Sequence, residues 1–144
     1  MPPQTGPPGP GGPPASRVDQ LLEQVRARYH RVGPHEAARL VSAGALLVDT
    51  RPVGQRAEFG EIPGALLVER NVLEWRLDPT CPDRHPAVTR ADQGVILFCQ
   101  AGFASSLAVA SLRQLGLSEA TDLEGGYEAW EAAGLPTVPG RGPT

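Results

Sequence analysis

Gly94-Val95-Ile96-Leu97-Phe98-Cys99-Gln100-Ala101-Gly102-Phe103-Ala104-Ser105-Ser106-Leu107 is the stretch whose reading decides the fold. Its apolar run from Val95 to Phe98 is of strand type, ends on a cysteine, and passes through a loop of small residues into a helix expected from Ser105 to Leu115. A thiol at such a switch sits at the carboxyl end of a strand, where open α/β sheets place their ligands. It also faces backbone N–H groups of the loop and the helix start, which favour a thiolate. Cys99 therefore reads as a nucleophile, with a buried structural cysteine as the alternative.

Outward from this stretch the same alternation repeats. Towards the N-terminus lie the apolar strands Ala45 to Asp49 and Ala65 to Val68. A helix from Pro52 to about Phe59 separates them, and a short one over Asn71 to Leu77 follows. Towards the C-terminus, Ala120 to Leu123 is another strand, and Gly125-Gly126 turns the chain into a helix from Tyr127 to Ala133, stopped by Gly134 and Pro136. Further upstream, Ser16 caps a helix to about Tyr29 with an apolar stripe of Val18, Leu21, Leu22, Val25 and Tyr29, expected to pack on the domain. Arg31-Val32 reads as a short first strand, and Pro34 opens a helix closed by Gly44. Strands that are apolar throughout imply cover on both faces. The expected fold is a three-layer α/β domain with a mostly parallel central sheet of about five strands flanked by helices.

The termini differ in composition. Eleven of the first 15 residues are Pro or Gly, which reads as a disordered tail (1–15) before the amphipathic helix (16–30), the domain (31–139) and a loose C-terminal end (140–144). A chain of 144 residues is long enough for one domain with a real core.

Charge narrows the function. A net charge of −3 gives no reason to expect nucleic acid or an anionic membrane as partner. No run approaches the ~18 apolar residues of a membrane span, and the N-terminus lacks a secretory pattern, so the expected location is cytoplasmic. All 13 basic residues are arginine, which excludes Schiff-base chemistry through lysine. Two cysteines, Cys81 and Cys99, make no disulfide framework. Cys81-x-x-x-His85 lacks the further ligands a zinc site needs, so no metal and no cofactor is assigned.

Four blocks in order carry a resemblance: Asp49-Thr50-Arg51, Glu61-Ile62-Pro63-Gly64-Ala65, the Cys99 loop, and Leu123-Glu124-Gly125-Gly126-Tyr127-Glu128-Ala129-Trp130. Together they make the chain resemble a single-domain rhodanese over about residues 30–139. The resemblance implies a sulfurtransferase that takes a sulfane sulfur from a donor, thiosulfate or a thiol persulfide, onto Cys99. The sulfur then passes from the persulfide to a thiophilic acceptor, cyanide or a thiol. Gln100, Ala101, Gly102, Phe103, Ala104 and Ser105 form the loop whose N–H groups, with the Ser105 and Ser106 hydroxyls, would face thiolate and persulfide. Gly102 lets the loop curl.

The loop departs from many catalytic relatives in carrying no charged side chain, which weakens recognition of a dianion. Arg51, Arg70 and Arg76, at or beyond strand ends, are the candidates for a substrate-facing cation; the alternative for each is a salt bridge to Asp49, Glu69 or Glu74. Asp49 is expected to orient the strand end or pair with Arg51, and Trp75 and Phe103 to wall the pocket, with plain core as the alternative for either. Glu61, where the family more often has histidine, is expected to concern surface packing. The competing function is a catalytically weak rhodanese-like binding or regulatory module. A cysteine phosphatase is disfavoured because it needs an arginine six residues after the cysteine, where Ser105 stands; a thioredoxin-like reductase lacks its Cys-x-x-Cys.

Overall fold

The computed structural model describes residues 15–141. A parallel sheet forms its middle layer, built from β1 (Leu46–Asp49), β2 (Leu66–Leu67), β3 (Val95–Phe98) and β4 (Ala120–Asp122) in the order β2-β1-β3-β4. β1 lies between β2 and β3, with Leu47 beside Ile96 and Asp49 beside Phe98. Val32 pairs in parallel with Leu123 beyond the outer edge of β4. The expected fifth strand is thus a single bridge, which a following Gly33-Pro34 helix start cuts short.

The all-apolar strands are covered on both sides, as a parallel sheet requires. Val48, Val95 and Leu97 pack towards α4 (Leu73–Leu77) and α5 (Ala104–Gln114), among Leu73, Leu77, Val109 and Leu112. Leu47, Ile96 and Phe98 face the other way. There they meet Ala37 of α2 (Pro34–Ser42) and Tyr127 and Trp130 of α6 (Gly126–Ala132). The period-two alternation of β3 therefore joins two cores. α3 (Val53–Phe59) connects β1 to β2, and a single 3-10 turn, Arg70–Val72, leads into α4.

α1 (Arg17–Arg26) begins with a reciprocal capping box between Ser16 and Asp19. It is shorter than expected and only partly inserted: Leu22 is buried, whereas Val18 and Leu21 of the apolar stripe are exposed. Its C-terminal end packs against α5 through Arg26, which donates to Ser106.

The two chain ends differ in how far they can be described. The Pro/Gly-rich residues 1–14 lie outside the described residues. The C-terminal end is tied down as far as it is described. Val138 exchanges backbone hydrogen bonds with Glu61, and Arg141 donates to the Glu61 carboxylate from its backbone N–H and its guanidinium, both at 2.8 Å. Glu61 is accordingly a buried residue, 1% exposed, and also pairs with Arg56 at 3.2 Å. Burial alone would raise its pKa, but the Arg141 N–H, the Arg141 guanidinium and Arg56 hold the carboxyl below the usual range. Surface packing is not its role.

Candidate active site

Phe98 ends β3 and Cys99 begins a loop that closes at the first turn of α5. Gly102, at φ +89°, reverses the chain so that its N–H donates to Cys99 Sγ at 3.2 Å; the Ser105 N–H, free as in any first helical turn, donates at 3.4 Å. The thiol sulfur, half-buried, thus sits in a concave turn of backbone donors. Such a turn stabilises a sulfur anion without a side-chain charge.

The loop rests on the start of α6. Gly125 and Gly126 are both in the left-handed region, at φ +77° and +61°. From there the Tyr127 and Glu128 N–H groups donate to the carbonyls of Cys99 and Gln100 at 2.9 and 3.1 Å. A β-carbon on Gly126 would stand 2.4 Å from the Cys99 carbonyl oxygen, and one on Gly102 would stand 2.7 Å from the Gly125 nitrogen. Close approach of two backbones explains the paired glycines of the Leu123-to-Trp130 block.

Arg51 is placed beneath the loop, not in front of it. Its side chain is fully buried; it pairs with Asp49 through Nε (3.0 Å) and Nη2 (2.8 Å), donates to the Gly60 carbonyl, and lies 4.4 Å over the Tyr127 ring. Its Nη1 donates to Gln100 Oε1 at 2.8 Å, which turns the Gln100 side chain inward as well. A buried carboxylate at the strand end requires this partner, so Arg51 is not the substrate-facing cation. Asp49 is paired with Arg51, and its Oδ1 also accepts from the Arg51 backbone N–H. Arg70 is half-exposed beyond β2 and forms an ion pair with Glu74 at 2.9 Å. Arg76 donates to the Asp83 carbonyl and lines a cleft with Val53, Arg56 and Val72 that Cys99 does not line. Trp75 is 58% exposed on α4. Ala101, Phe103 and Ala104 form the outer, accessible face of the loop.

The serine hydroxyls do not face the sulfur. Ser105 Oγ and Ser106 Oγ donate to Asp122 Oδ2 at 2.7 and 2.9 Å, so Ser105 contributes its N–H alone. Asp122, fully buried at the end of β4, also accepts from the Tyr29 hydroxyl and from Arg31. Burial followed by the Asp122 charge pushes the Tyr29 phenol up; burial works against the Arg31 charge, but Asp122 outweighs it and raises that guanidinium's pKa.

Behind the loop, Arg26 Nη2 and Arg31 Nη2 donate to one acceptor, the Gly102 carbonyl, at 2.8 and 2.7 Å. Burial and the neighbouring Arg31 hold Arg26 below the usual arginine value. Arg26, Arg31 and Asp122 escape a reading of the sequence because 16 to 80 positions separate them from the loop residues they bond, and Tyr29 because its partner Asp122 is 93 positions away. The one available signal was the apolar stripe that docks α1 beside α5. Among the described residues no cluster of three or more His, Cys, Asp or Glu side chains could hold a metal ion.

Comparison with known proteins agrees with this architecture. Residues 33–133 match the model of the rhodanese-like domain. The chain is 32% identical over 108 residues to the thiosulfate sulfurtransferase GlpE of Ectopseudomonas mendocina, covering 74% of this chain and 88% of that protein. It is 34% identical over 93 residues to a sulfurtransferase of Allochromatium vinosum, covering 65% and 78%. Among solved structures, a Rhodopseudomonas palustris protein of unknown function, described as a possible tyrosine phosphatase, superposes with a TM-score of 0.75 at 28% identity, over 94% of this chain and 98% of its own. A thiosulfate sulfurtransferase of Pseudomonas aeruginosa gives 0.62 at 29% identity, covering 76% of this chain and 19% of the other. A cysteine loop cradled by backbone donors, seated on a double-glycine helix start, is here carried by a chain that belongs to the rhodanese-like family of sulfurtransferases.

Proposed function

We propose that the protein transfers a sulfane sulfur through a persulfide on Cys99. The observation that carries this reading is the convergence of the Gly102 and Ser105 N–H groups on Sγ, at 3.2 and 3.4 Å, in a loop with an accessible outer face. The Cys99 thiolate attacks the outer sulfur of the donor, forming the new S–S bond as the donor's S–S bond breaks. With thiosulfate the leaving group is sulfite, which keeps the bonding pair; with a thiol persulfide it is the thiolate. The acceptor, cyanide or a thiolate, then attacks the terminal sulfur and returns the Cys99 thiolate. In both steps negative charge stays on sulfur within the turn, where fixed dipoles need no reorganisation. Donors are small molecules, either thiosulfate or a thiol persulfide. Of the three arginines weighed from the sequence, Arg70 is the one with an exposed side chain at the sheet rim that can meet an anionic donor.

A tyrosine-phosphatase activity, the description attached to the R. palustris protein, is not supported here. Phosphate transfer to a cysteine requires an arginine to clamp the transferring group, and the position six residues after Cys99 is Ser105, bonded to Asp122. A binding module without turnover is the alternative reading, favoured by the absence of charged side chains on the loop. Intact-mass spectrometry after incubation with thiosulfate or glutathione persulfide tests the proposal. Addition of one sulfur atom, absent in Cys99→Ser and removed by cyanide, is expected. No loading from either donor would refute it and leave the binding module.

A further inference from the structure

Arg26 lies outside the segment that matches the rhodanese-like domain, residues 33–133, on a helix that the domain does not need for its sheet. Yet its guanidinium ends in the back of the Cys99 loop. Nη2 donates to the Gly102 carbonyl at 2.8 Å, Nε donates to Ser106 Oγ at 2.9 Å, and the guanidinium carbon lies 5.5 Å from the centre of the Phe103 ring. Gly102 is therefore held at both of its polar groups. Its N–H is directed to Cys99 Sγ and its carbonyl to two guanidinium groups on the opposite side. The second donor to sulfur is held through the same cluster. The Ser105 N–H faces Sγ while Ser105 Oγ is fixed on Asp122, which Ser106 also grips, and Ser106 in turn accepts from Arg26.

Bringing two like charges to one carbonyl is unfavourable unless something offsets it. Asp122 offsets Arg31, with which it forms an ion pair at 3.0 Å. Among the described residues no carboxylate lies within ion-pair distance of Arg26, and Asp122 and Glu124 act on it only from farther off, so its nearest partners are the Gly102 carbonyl and Ser106 of the loop and helix start.

We propose that Arg26 is a positioning residue for the Cys99 loop, so that α1 is a working part of the site and not a packing appendage. This role rests on Cys99 being the reactive thiol of the proposed transfer. Arg26 supplies from behind the positive charge that the loop's own side chains lack.

The test is the rate of alkylation of Cys99 by iodoacetamide at one fixed pH, in a Cys81→Ser background so that one thiol reports. It is combined with the 15N amide resonances of Gly102 and Ser105. Arg26→Ala is expected to slow alkylation about tenfold, the loss of one of two charge-assisted bonds holding Gly102, and to shift both amides. Arg26→Lys, which reaches one of the two acceptors, is expected to restore part of the rate. Arg28→Ala, at an exposed arginine two residues past the end of α1, controls for net charge and is expected to change neither. Arg26→Ala with the rate and amide positions of Arg28→Ala overturns the inference, as does a variant whose melting temperature falls while both readouts stay at the wild-type value. These readouts need no sulfur transfer. A wild-type protein that alkylates normally but takes up no sulfur refutes the proposed activity and leaves the comparison among the arginine variants standing.

Discussion

Gly126→Ala is the sharpest test of how the site is built. At φ +61° an alanine loses about 1–2 kcal/mol to left-handed backbone strain. Its β-carbon would also lie 2.4 Å from the Cys99 carbonyl oxygen and 2.8 Å from both the Gln100 carbonyl oxygen and the Gly102 nitrogen. All three are backbone atoms of the Cys99 loop and cannot swing aside as a flexible side chain would. Overpacking of this kind costs about 1–3 kcal/mol. The expected total is about 2–5 kcal/mol, a large share of the ~5–15 kcal/mol that holds a domain of this size. Gly134→Ala supplies the control. Gly134 has a similar φ of +76°, and a β-carbon there meets nothing within 4 Å. It therefore carries the strain and the unfolded-state change of a Gly→Ala substitution without the clash. Urea unfolding at 25 °C measures both, and the difference between the variants, about 1–3 kcal/mol, is the contribution of the α6–loop contact. Gly126→Ala should also lose sulfur loading, because the loop must move off the Tyr127 and Glu128 N–H groups. Equal destabilisation of the two variants, to within about 0.5 kcal/mol, would refute the idea that α6 is the seat of the loop.

Arg51→Ala should destabilise by about 3–5 kcal/mol in the same unfolding assay, since it strands the buried Asp49 carboxylate; a loss under about 1 kcal/mol would mean the pair is not buried in solution. Arg70→Ala breaks a half-exposed ion pair and should change stability by less than about 1 kcal/mol, while steady-state assays should show a KM for thiosulfate raised about tenfold with kcat retained. An unchanged KM would remove Arg70 from donor binding. The depressed carboxyl of Glu61 gives acid sensitivity with a definite sign. Its stabilisation is present above the unfolded-state value of about 4.3 and is lost as pH falls through the lower folded value. Melting temperatures of wild type and Glu61→Gln should therefore converge as pH is lowered through that window and stay apart at pH 7; a constant gap would show that the charge of Glu61 contributes nothing.

How far the molecule could be read from its sequence depends on the reach of each interaction. β1 and β3 are continuous apolar runs because both faces are covered, and that pattern is local, so the parallel three-layer fold was legible. The Cys99 loop was legible for the same reason, as a strand, a few small residues and a helix start in succession. Side-chain direction was not. Nothing in Asp49-Thr50-Arg51 says whether the arginine turns outward to substrate or inward under Gln100, since both outcomes place it at the end of β1. Glu61 reads as a surface residue until Arg141, 80 positions later, is brought against it.

The loop's missing charge shows the same limit more deeply. An uncharged cysteine loop argued for weak recognition of an anion, and within residues 99–105 that argument is sound. Arg26 and Arg31 reverse its premise from 76 and 71 positions upstream, by way of one carbonyl that no sequence pattern marks. Electrostatics at such a site is a sum over what the fold gathers. Gly102 receives two guanidinium groups on its carbonyl, and its N–H, which belongs to the preceding peptide group, faces sulfur, so the two cations hold in place the residue that bonds Cys99. The accessible residues of the loop, Ala101, Phe103 and Ala104, are small or apolar, and the Arg26 guanidinium lies against the Phe103 ring. On the proposed transfer through Cys99, such a loop suits a site where sulfur must both arrive and leave.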